Sequence, residues 1–337
     1  MNASHEIEAR LRETAEKLLR EQKVSVFLGY EKATLPFRTT PLFLTHAEEV
    51  NRLSWNPFCA ANLAVYLPRL FATHAGVRDA GTAVTPTVGI VLKGCDMRSV
   101  MTLIQERQVR RENLVLVEIA CSGIVDRRKA EKALVGRQAL GAGEDGQGNI
   151  RVVVDDGSEI ALRLEDVSSQ ACRECRYSAS PHHDVIVGVS VEGEKADGSR
   201  RGIAEFESKP LESRWAIFQE TFSKCIRCNA CRQACPMCYC KTCVFDQNRP
   251  RWIGAGTESS DVALYHLMRA LHMAGRCTGC GACERACPEG IDVRLLTRKL
   301  CVEVEELYGY RPGEALEGIP LMSSFAMDDP QEFVTEP

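Results

Sequence analysis

The chain has 337 residues, a net charge of −4, 45% hydrophobic and 26% charged residues. That composition allows a sizeable core and more than one domain, and offers no global charge to attract nucleic acid. The longest apolar stretch, Phe58 to Ala72, is broken by Asn62, Pro68 and Arg69, so no bilayer span is expected. Seventeen cysteines follow a start, MNASHEIEAR, without a signal-peptide core, which favours metal binding in a reducing cytoplasm over disulfides.

In chain order, residues 5–22 predict an amphipathic helix with Ile7, Leu11, Leu18 and Leu19 on one stripe. A second helix is expected over 59–73. Thr87 to Leu92 and Leu114 to Ala120 are nearly continuous apolar runs flanking a helical stretch, Met97 to Gln108. This is the pattern of a β-α-β unit in a parallel sheet covered on both faces. Gly141-Ala-Gly143-Glu-Asp-Gly146 matches GxGxxG but does not follow a strand and open a helix, so it is expected as a mobile loop rather than a dinucleotide site. Residues 149–164 alternate about Asp156-Gly157 and predict a hairpin. A strand is expected over Asp184–Val189, and a linker or surface hairpin over 192–210. Helices are expected over 211–222, from Ser259 or Ser260 to about Met273, and over 292–308.

Two cysteine runs carry the chemistry. Cys225, Cys228, Cys231 and Cys235-Pro form the first; Cys277, Cys280, Cys283 and Cys287-Pro form the second. Both have the C-x2-C-x2-C-x3-C-P spacing of bacterial dicluster ferredoxins, in which the fourth cysteine ligates the other cluster. One 4Fe–4S cluster is therefore assigned to Cys225, Cys228, Cys231 and Cys287, and another to Cys277, Cys280, Cys283 and Cys235. Zinc is the alternative, but four-cysteine zinc sites usually use two separated CxxC pairs.

Four more cysteines suggest a third site. Cys95 and Cys121 each follow one of the two parallel strands, so both emerge at the sheet edge where α/β folds place ligands. Cys172-x2-Cys175 supplies a further pair. A third 4Fe–4S cluster is expected on these four thiolates; buried free thiols with a zinc half-site or redox pair is the competing reading. Cys238, Cys240 and Cys243 read as loop thiols that tune a nearby cluster, or as further metal ligands. Cys59 and Cys301 fall in apolar helical patterns and read as core. His182 and His183 read as loop histidines. The six Lys and Arg between 224 and 251, against one Asp, suggest either a docking face for an acidic partner or a solvated surface. No arrangement for acid–base or nucleophilic catalysis presents itself.

The fold class is thus an α/β N-terminal domain with a mainly parallel sheet over 1–205, followed by a helical bacterial-type 2×4Fe–4S ferredoxin-like domain over 211–305 and a tail over 306–337. The segments VGIVLKGCDMRSV (88–100), VEIACSGIVD (117–126) and CRECRYSASPHHDVIVG (172–188) resemble the beta subunits of coenzyme F-420-reducing hydrogenases and of related formate dehydrogenases. The resemblance implies a flavin-carrying α/β domain that passes electrons between a partner's metal chain and a deazaflavin. Lys93, Gly94, Asp96 and Arg98, at a strand-to-helix turn suited to an anion, are candidates either to contact a flavin phosphate of FAD or FMN or to set the potential of the nearby cluster. The flavin region of that family is longer than the 191–210 retained here. Two functions follow. One is an electron-transfer subunit of a cytoplasmic anaerobic complex, beside formate dehydrogenase, hydrogenase or heterodisulfide-reductase-like partners. The other is a flavin-containing subunit exchanging hydride with a deazaflavin or nicotinamide coenzyme.

Overall fold

A computed structural model describes residues 3–76, 85–176, 180–188 and 198–323. Helix α1 (Ala3–Arg20) buries Leu11, Ala15, Leu18 and Leu19 on one stripe. The chain then forms β1 (Val26–Lys32) and β2 (Thr39–Leu44), an antiparallel pair in a stretch where the sequence analysis assigns no element. A short apolar run such as that of β1 reads equally as strand or buried helix, and only the neighbouring strand decides. Pro41 sits in β2, the outermost strand, where its missing N–H costs no ladder bond. A 3-10 turn (Leu63–Tyr66) leads into α2 (Leu67–Gly76).

The predicted β-α-β unit is present as β3 (Val88–Leu92), α3 (Gly94–Gln105) and β4 (Leu114–Ile119). All five β3 residues are buried. Burying a Val, Ile or Leu side chain contributes about 1.5–3 kcal/mol, so this strand anchors the sheet. The sheet order is β2-β1-β3-β4-β8, parallel except for the β1–β2 pair, where β8 is Val185–Val187.

After α4 (Arg127–Ala133), capped by the Asp126 carboxylate, a second sheet forms from β5 (Ala139–Glu144), β6 (Asn149–Val154) and β7 (Glu159–Arg163). The predicted hairpin about Asp156-Gly157 is β6 and β7, with Ile150, Val152 and Val154 pointing into a small core of their own. The GxGxxG stretch is corrected. Gly141 and Gly143 lie inside β5 and pair with β6. Glycine lacks the side chain that signals a strand, and here the neighbour's ladder supplies the order.

Short helices α5 (Leu164–Val167) and α6 (Gln170–Arg173) precede β8. The expected linker over 192–210 is a helix where described, α7 (Gly198–Glu207); residues 192–197 lie outside the described residues. Ile203 and Phe206 give α7 an apolar face, and Arg200 reaches across to Glu306 at 2.7 Å. The remainder is helical: α8 (Leu211–Ser223), α9 (Ala230–Gln233), α10 (Ser259–Leu271), α11 (Ala282–Ala286) and α12 (Leu295–Tyr308). Among the described residues no helix is long and apolar enough to cross a membrane.

The helical region is sewn directly onto the sheet region. Arg276 pairs with Glu106 at 2.5 Å, and Tyr239 donates to the same carboxylate at 2.7 Å. Arg294 pairs with Glu174 at 2.8 Å, and Arg285 donates twice to the Ala60 carbonyl. Met237 and Met273 join the main core alongside Leu92 and Met97.

Candidate metal centres

The sheet sets the first group of thiols. In the β3–β4 register Leu92 faces Glu118. Cys95 and Cys121 each lie three residues beyond that pair, so parallel strands deliver them side by side. Helix α6 carries Cys172 and turns into Cys175, whose N–H donates to the Cys172 carbonyl at 3.3 Å. Ser169 N donates to Ile124 O at 2.9 Å, which ties α6 to the segment leaving Cys121. All four thiols line one cavity of about 140 Å³. Its far wall is the second cysteine run, with Cys277, Thr278, Gly279 and Cys280, together with Arg285.

The two runs share a backbone. In the first, Arg227 (φ 54°) and Asn229 (φ 59°) are left-handed; in the second, Gly279 (φ 71°) and Gly281 (φ 68°) occupy the same steps. Each pair bends the loop inward between successive cysteines, and a short helix, α9 or α11, follows. Glycine takes that conformation without penalty, whereas a side-chain-bearing residue costs of order 1 kcal/mol or more. Arg227 is held in place because its guanidinium donates to the Gly254 and Asp261 carbonyls, both at 3.0 Å, and lies over the Tyr265 ring.

Two smaller cavities lie at these loops. One is lined by Cys277, Cys280, Cys283 and Cys235; the other by Cys225, Cys228, Cys231 and Cys287. In both, the fourth cysteine comes from the opposite run, as the crossed spacing requires. Cys277 and Cys280 belong to the walls of both the strand-end cavity and the second-run cavity, so those two are contiguous. Among the described residues no three His, Cys, Asp or Glu side chains are grouped so as to hold a single metal ion. Burial pushes the Cys121 thiol up to about 12 and raises Cys95, Cys280 and Cys283 as well. Bare thiolates are therefore penalised here, and a bound cation is what makes such a set favourable.

Helix α10 contributes groups that the sequence analysis overlooks. His266 Nε2 lies 3.3 Å from Cys225 Sγ, and Tyr265 Oη lies 3.5 Å from Cys231 Sγ. Burial, helped by Arg269 and Arg227, pushes the His266 imidazole down to about 3, so the ring is neutral, with one N–H to donate. Phe222 of α8 stacks on that ring at 4.0 Å and fixes its plane. The only sequence signal was a polar Tyr-His pair inside the helix between the two cysteine runs.

The remaining candidates sort clearly. Lys93 is 1% exposed, and its Nζ meets Asp96 Oδ2 at 2.6 Å, Tyr30 Oη at 2.6 Å, and the Cys59 and Ala61 carbonyls. Lys93 and Asp96 are thus committed to one another beneath Cys95. Arg98 donates to the carbonyls of Pro312 and Thr278. Gly94 opens α3 and lines the strand-end cavity. A separate cavity of about 270 Å³ lies at the carboxyl ends of β4 and β8, with Trp55, Cys121 and Gly188 in its wall. Of the stretch expected to carry flavin contacts, 191–197 lies outside the described residues.

Cys238, Cys240 and Cys243 line another cavity, of about 1000 Å³, together with Arg232, Tyr239 and Arg276. Cys59 is fully buried in the core. Cys301 is not core: it lines the strand-end cavity, and its thiol donates to the Cys277 carbonyl at 3.6 Å. His182 binds the Glu314 carbonyl and His183 the Glu118 carboxylate; neither is among the residues lining the strand-end cavity. Within 224–251, Lys224, Lys241, Arg249 and Arg251 are exposed, while Arg227 bonds inward and Arg232 pairs with Asp246 at 2.9 Å.

Residues 221–291 match the 4Fe-4S dicluster domain family. The chain is similar to the F420-dependent formate dehydrogenase subunit beta of Methanocaldococcus jannaschii, 19% identical over 88% of this chain and 89% of that one. It is also similar to the F420-dependent formate dehydrogenase 1 subunit beta of Methanococcus maripaludis, 23% identical over 90% of each. Among solved structures it aligns with a chain of the F420-reducing [NiFe] hydrogenase complex from Methanosarcina barkeri, with TM-score 0.37 and 12% identity. That alignment covers 53% of this chain and 64%, under two thirds, of the other. The chain is thus similar over most of its length to F420-dependent formate dehydrogenase beta subunits, and its residues 221–291 match a 4Fe-4S dicluster domain.

Proposed function

We propose that the chain is an iron–sulfur electron-transfer subunit of a cytoplasmic anaerobic redox complex, with formate dehydrogenase, hydrogenase or heterodisulfide-reductase-like partners. In this reading it holds three 4Fe–4S clusters, on Cys95/Cys121/Cys172/Cys175, on Cys277/Cys280/Cys283/Cys235 and on Cys225/Cys228/Cys231/Cys287. The observation that carries it is the wall shared through Cys277 and Cys280, which lets the strand-end set adjoin the dicluster module. Bound clusters supply one-electron steps. The chain's own contribution is to hold the thiolates, exclude water and set the potentials through donors such as His266 and Tyr265. The proposed domains keep the limits 1–205, 211–305 and 306–337.

The test is electron transfer through the anaerobically purified chain from a reduced dye to a second acceptor. Cys277→Ser, at the shared wall, abolishes transfer if the relay is right. Unchanged transfer and unchanged iron content in that variant defeat it. A second reading, a flavin-containing subunit exchanging hydride with a deazaflavin or nicotinamide coenzyme, draws on the relatives' printed F420 dependence and on the cavity beside Cys121. Stoichiometric flavin extracted from the purified protein supports it; none counts against it.

A further inference from the structure

Arg269, near the end of α10, is 4% exposed. Its Nη2 donates to the Cys231 carbonyl at 3.3 Å, on the first-run loop. The same side chain lines the second-run cavity with Cys235, Cys277, Cys280 and Cys283. Its Nε is buried without a hydrogen-bond partner. Two other well-buried guanidinium groups nearby have carboxylates, Arg294 with Glu174 and Glu284 and Arg276 with Glu106, while Arg285 donates to the Ala60 carbonyl. Among the described residues no carboxylate forms an ion pair with Arg269.

A lone buried guanidinium is unfavourable unless an anion compensates it. Its surroundings are cysteines of both runs: it bonds the Cys231 carbonyl and shares a cavity wall with Cys235 and Cys283. Four thiolates around a cubane carry net negative charge, and one added electron makes it more negative. A fixed cation between two such sites compensates that negative charge, lessens their mutual repulsion, and favours the reduced form of each.

We propose that Arg269 is the counter-charge shared by the two dicluster sites, a positioning residue that raises the reduction potential of both. The inference rests on the cluster assignment of the preceding section. Asn or Gln at this position would keep a polar contact to Cys231 O; only Arg or Lys keeps the charge.

The experiment uses the full chain, purified without oxygen, as wild type, Arg269→Gln and Arg269→Lys. Iron and acid-labile sulfide are measured first, and each protein is then titrated with dithionite while the reduced-cluster spectrum is followed by electron paramagnetic resonance. Each cluster takes one electron from dithionite, which is oxidised. At the wild-type midpoint, Arg269→Gln shifts the oxidised-to-reduced ratio about tenfold toward oxidised, equivalent to about 59 mV for a one-electron couple. Arg269→Lys restores most of that shift. Full iron content with unchanged midpoints in Arg269→Gln overturns the proposal. Where Arg269→Gln loses iron, the lysine variant decides: iron and near-wild-type midpoints retained support a charge role, and iron lost again assigns Arg269 to the Cys231 carbonyl contact and overturns the proposal. A wild type without cubane iron fails at the first step and defeats the underlying cluster assignment, a result distinct from unchanged midpoints.

Discussion

Ser99 Oγ and Thr278 Oγ1 lie 2.9 Å apart, and each is also within reach of the Cys95 carbonyl, at 3.1 and 3.4 Å. This small node locks the first turn of α3 to the second cysteine run, so the strand-end thiols and the dicluster loop share one rigid wall. Thr278→Val removes one hydroxyl but leaves Ser99 bonded to Asn62 at 3.0 Å. The expected cost is about 1 kcal/mol, seen as a lower anaerobic unfolding midpoint with iron content retained. An unchanged midpoint would show that the node contributes nothing.

Lys93 and Asp96 form a buried ion pair, 2% and 0% exposed, beneath Cys95. Removing one member leaves the other charge uncompensated, which costs about 3–5 kcal/mol. Asp96→Leu and Lys93→Met are each expected to destabilise by that order, and the double variant Lys93→Met/Asp96→Leu by distinctly less than their sum. Denaturant unfolding of the three variants checks this. Additive losses would mean that the pair does not act as a unit.

Gly281 takes φ 68°, and a Cβ placed there would run into the Ala171 methyl group beside Cys172. Gly281→Ala therefore pushes the second-run loop away from α6. It is expected to destabilise by about 1–3 kcal/mol and to deplete iron at both contiguous sites. Gly136→Ala also has a positive φ, but nothing within 4 Å, so it serves as a strain-only control. Equal iron in the two variants would refute the close approach.

Substitutions at the proposed ligands separate the three proposed sites. Cys121→Ser and Cys225→Ser are each expected to lose about four irons per chain, while Cys240→Ser, on the exposed loop, is expected to lose none. Loss of iron from Cys240→Ser would bring that thiol into the ligand set.

The parts of the fold that a local pattern encodes were legible in the sequence. The β3–α3–β4 unit, the 149–164 hairpin and the helices of the second half follow from apolar period and turn chemistry. What escaped depends on distant partners: β1 and β2 are short runs made strands by β3 and by each other, and Gly141 and Gly143 are ordered by β6. At the site, the grouping of cysteines around the two smaller cavities follows the crossed spacing, and Cys95 and Cys121 share a cavity wall as strand direction suggests; that these sets hold clusters is the proposal. Tyr265, His266 and Arg269 were not legible, because their meaning comes from α10 packing between the two loops, and a single polar residue in a helix carries no sign of what it faces. Arg98 is the converse case: a suggestive position beside a turn, with a guanidinium that serves as a staple to Pro312 and Thr278.

The central claim is three four-iron sites in one chain. Iron and acid-labile sulfide per polypeptide, measured on protein purified without oxygen, test it most directly. The account predicts about 12 of each, four per cubane. About 8 would contradict it, leaving the dicluster pair alone and Cys95, Cys121, Cys172 and Cys175 without a metal.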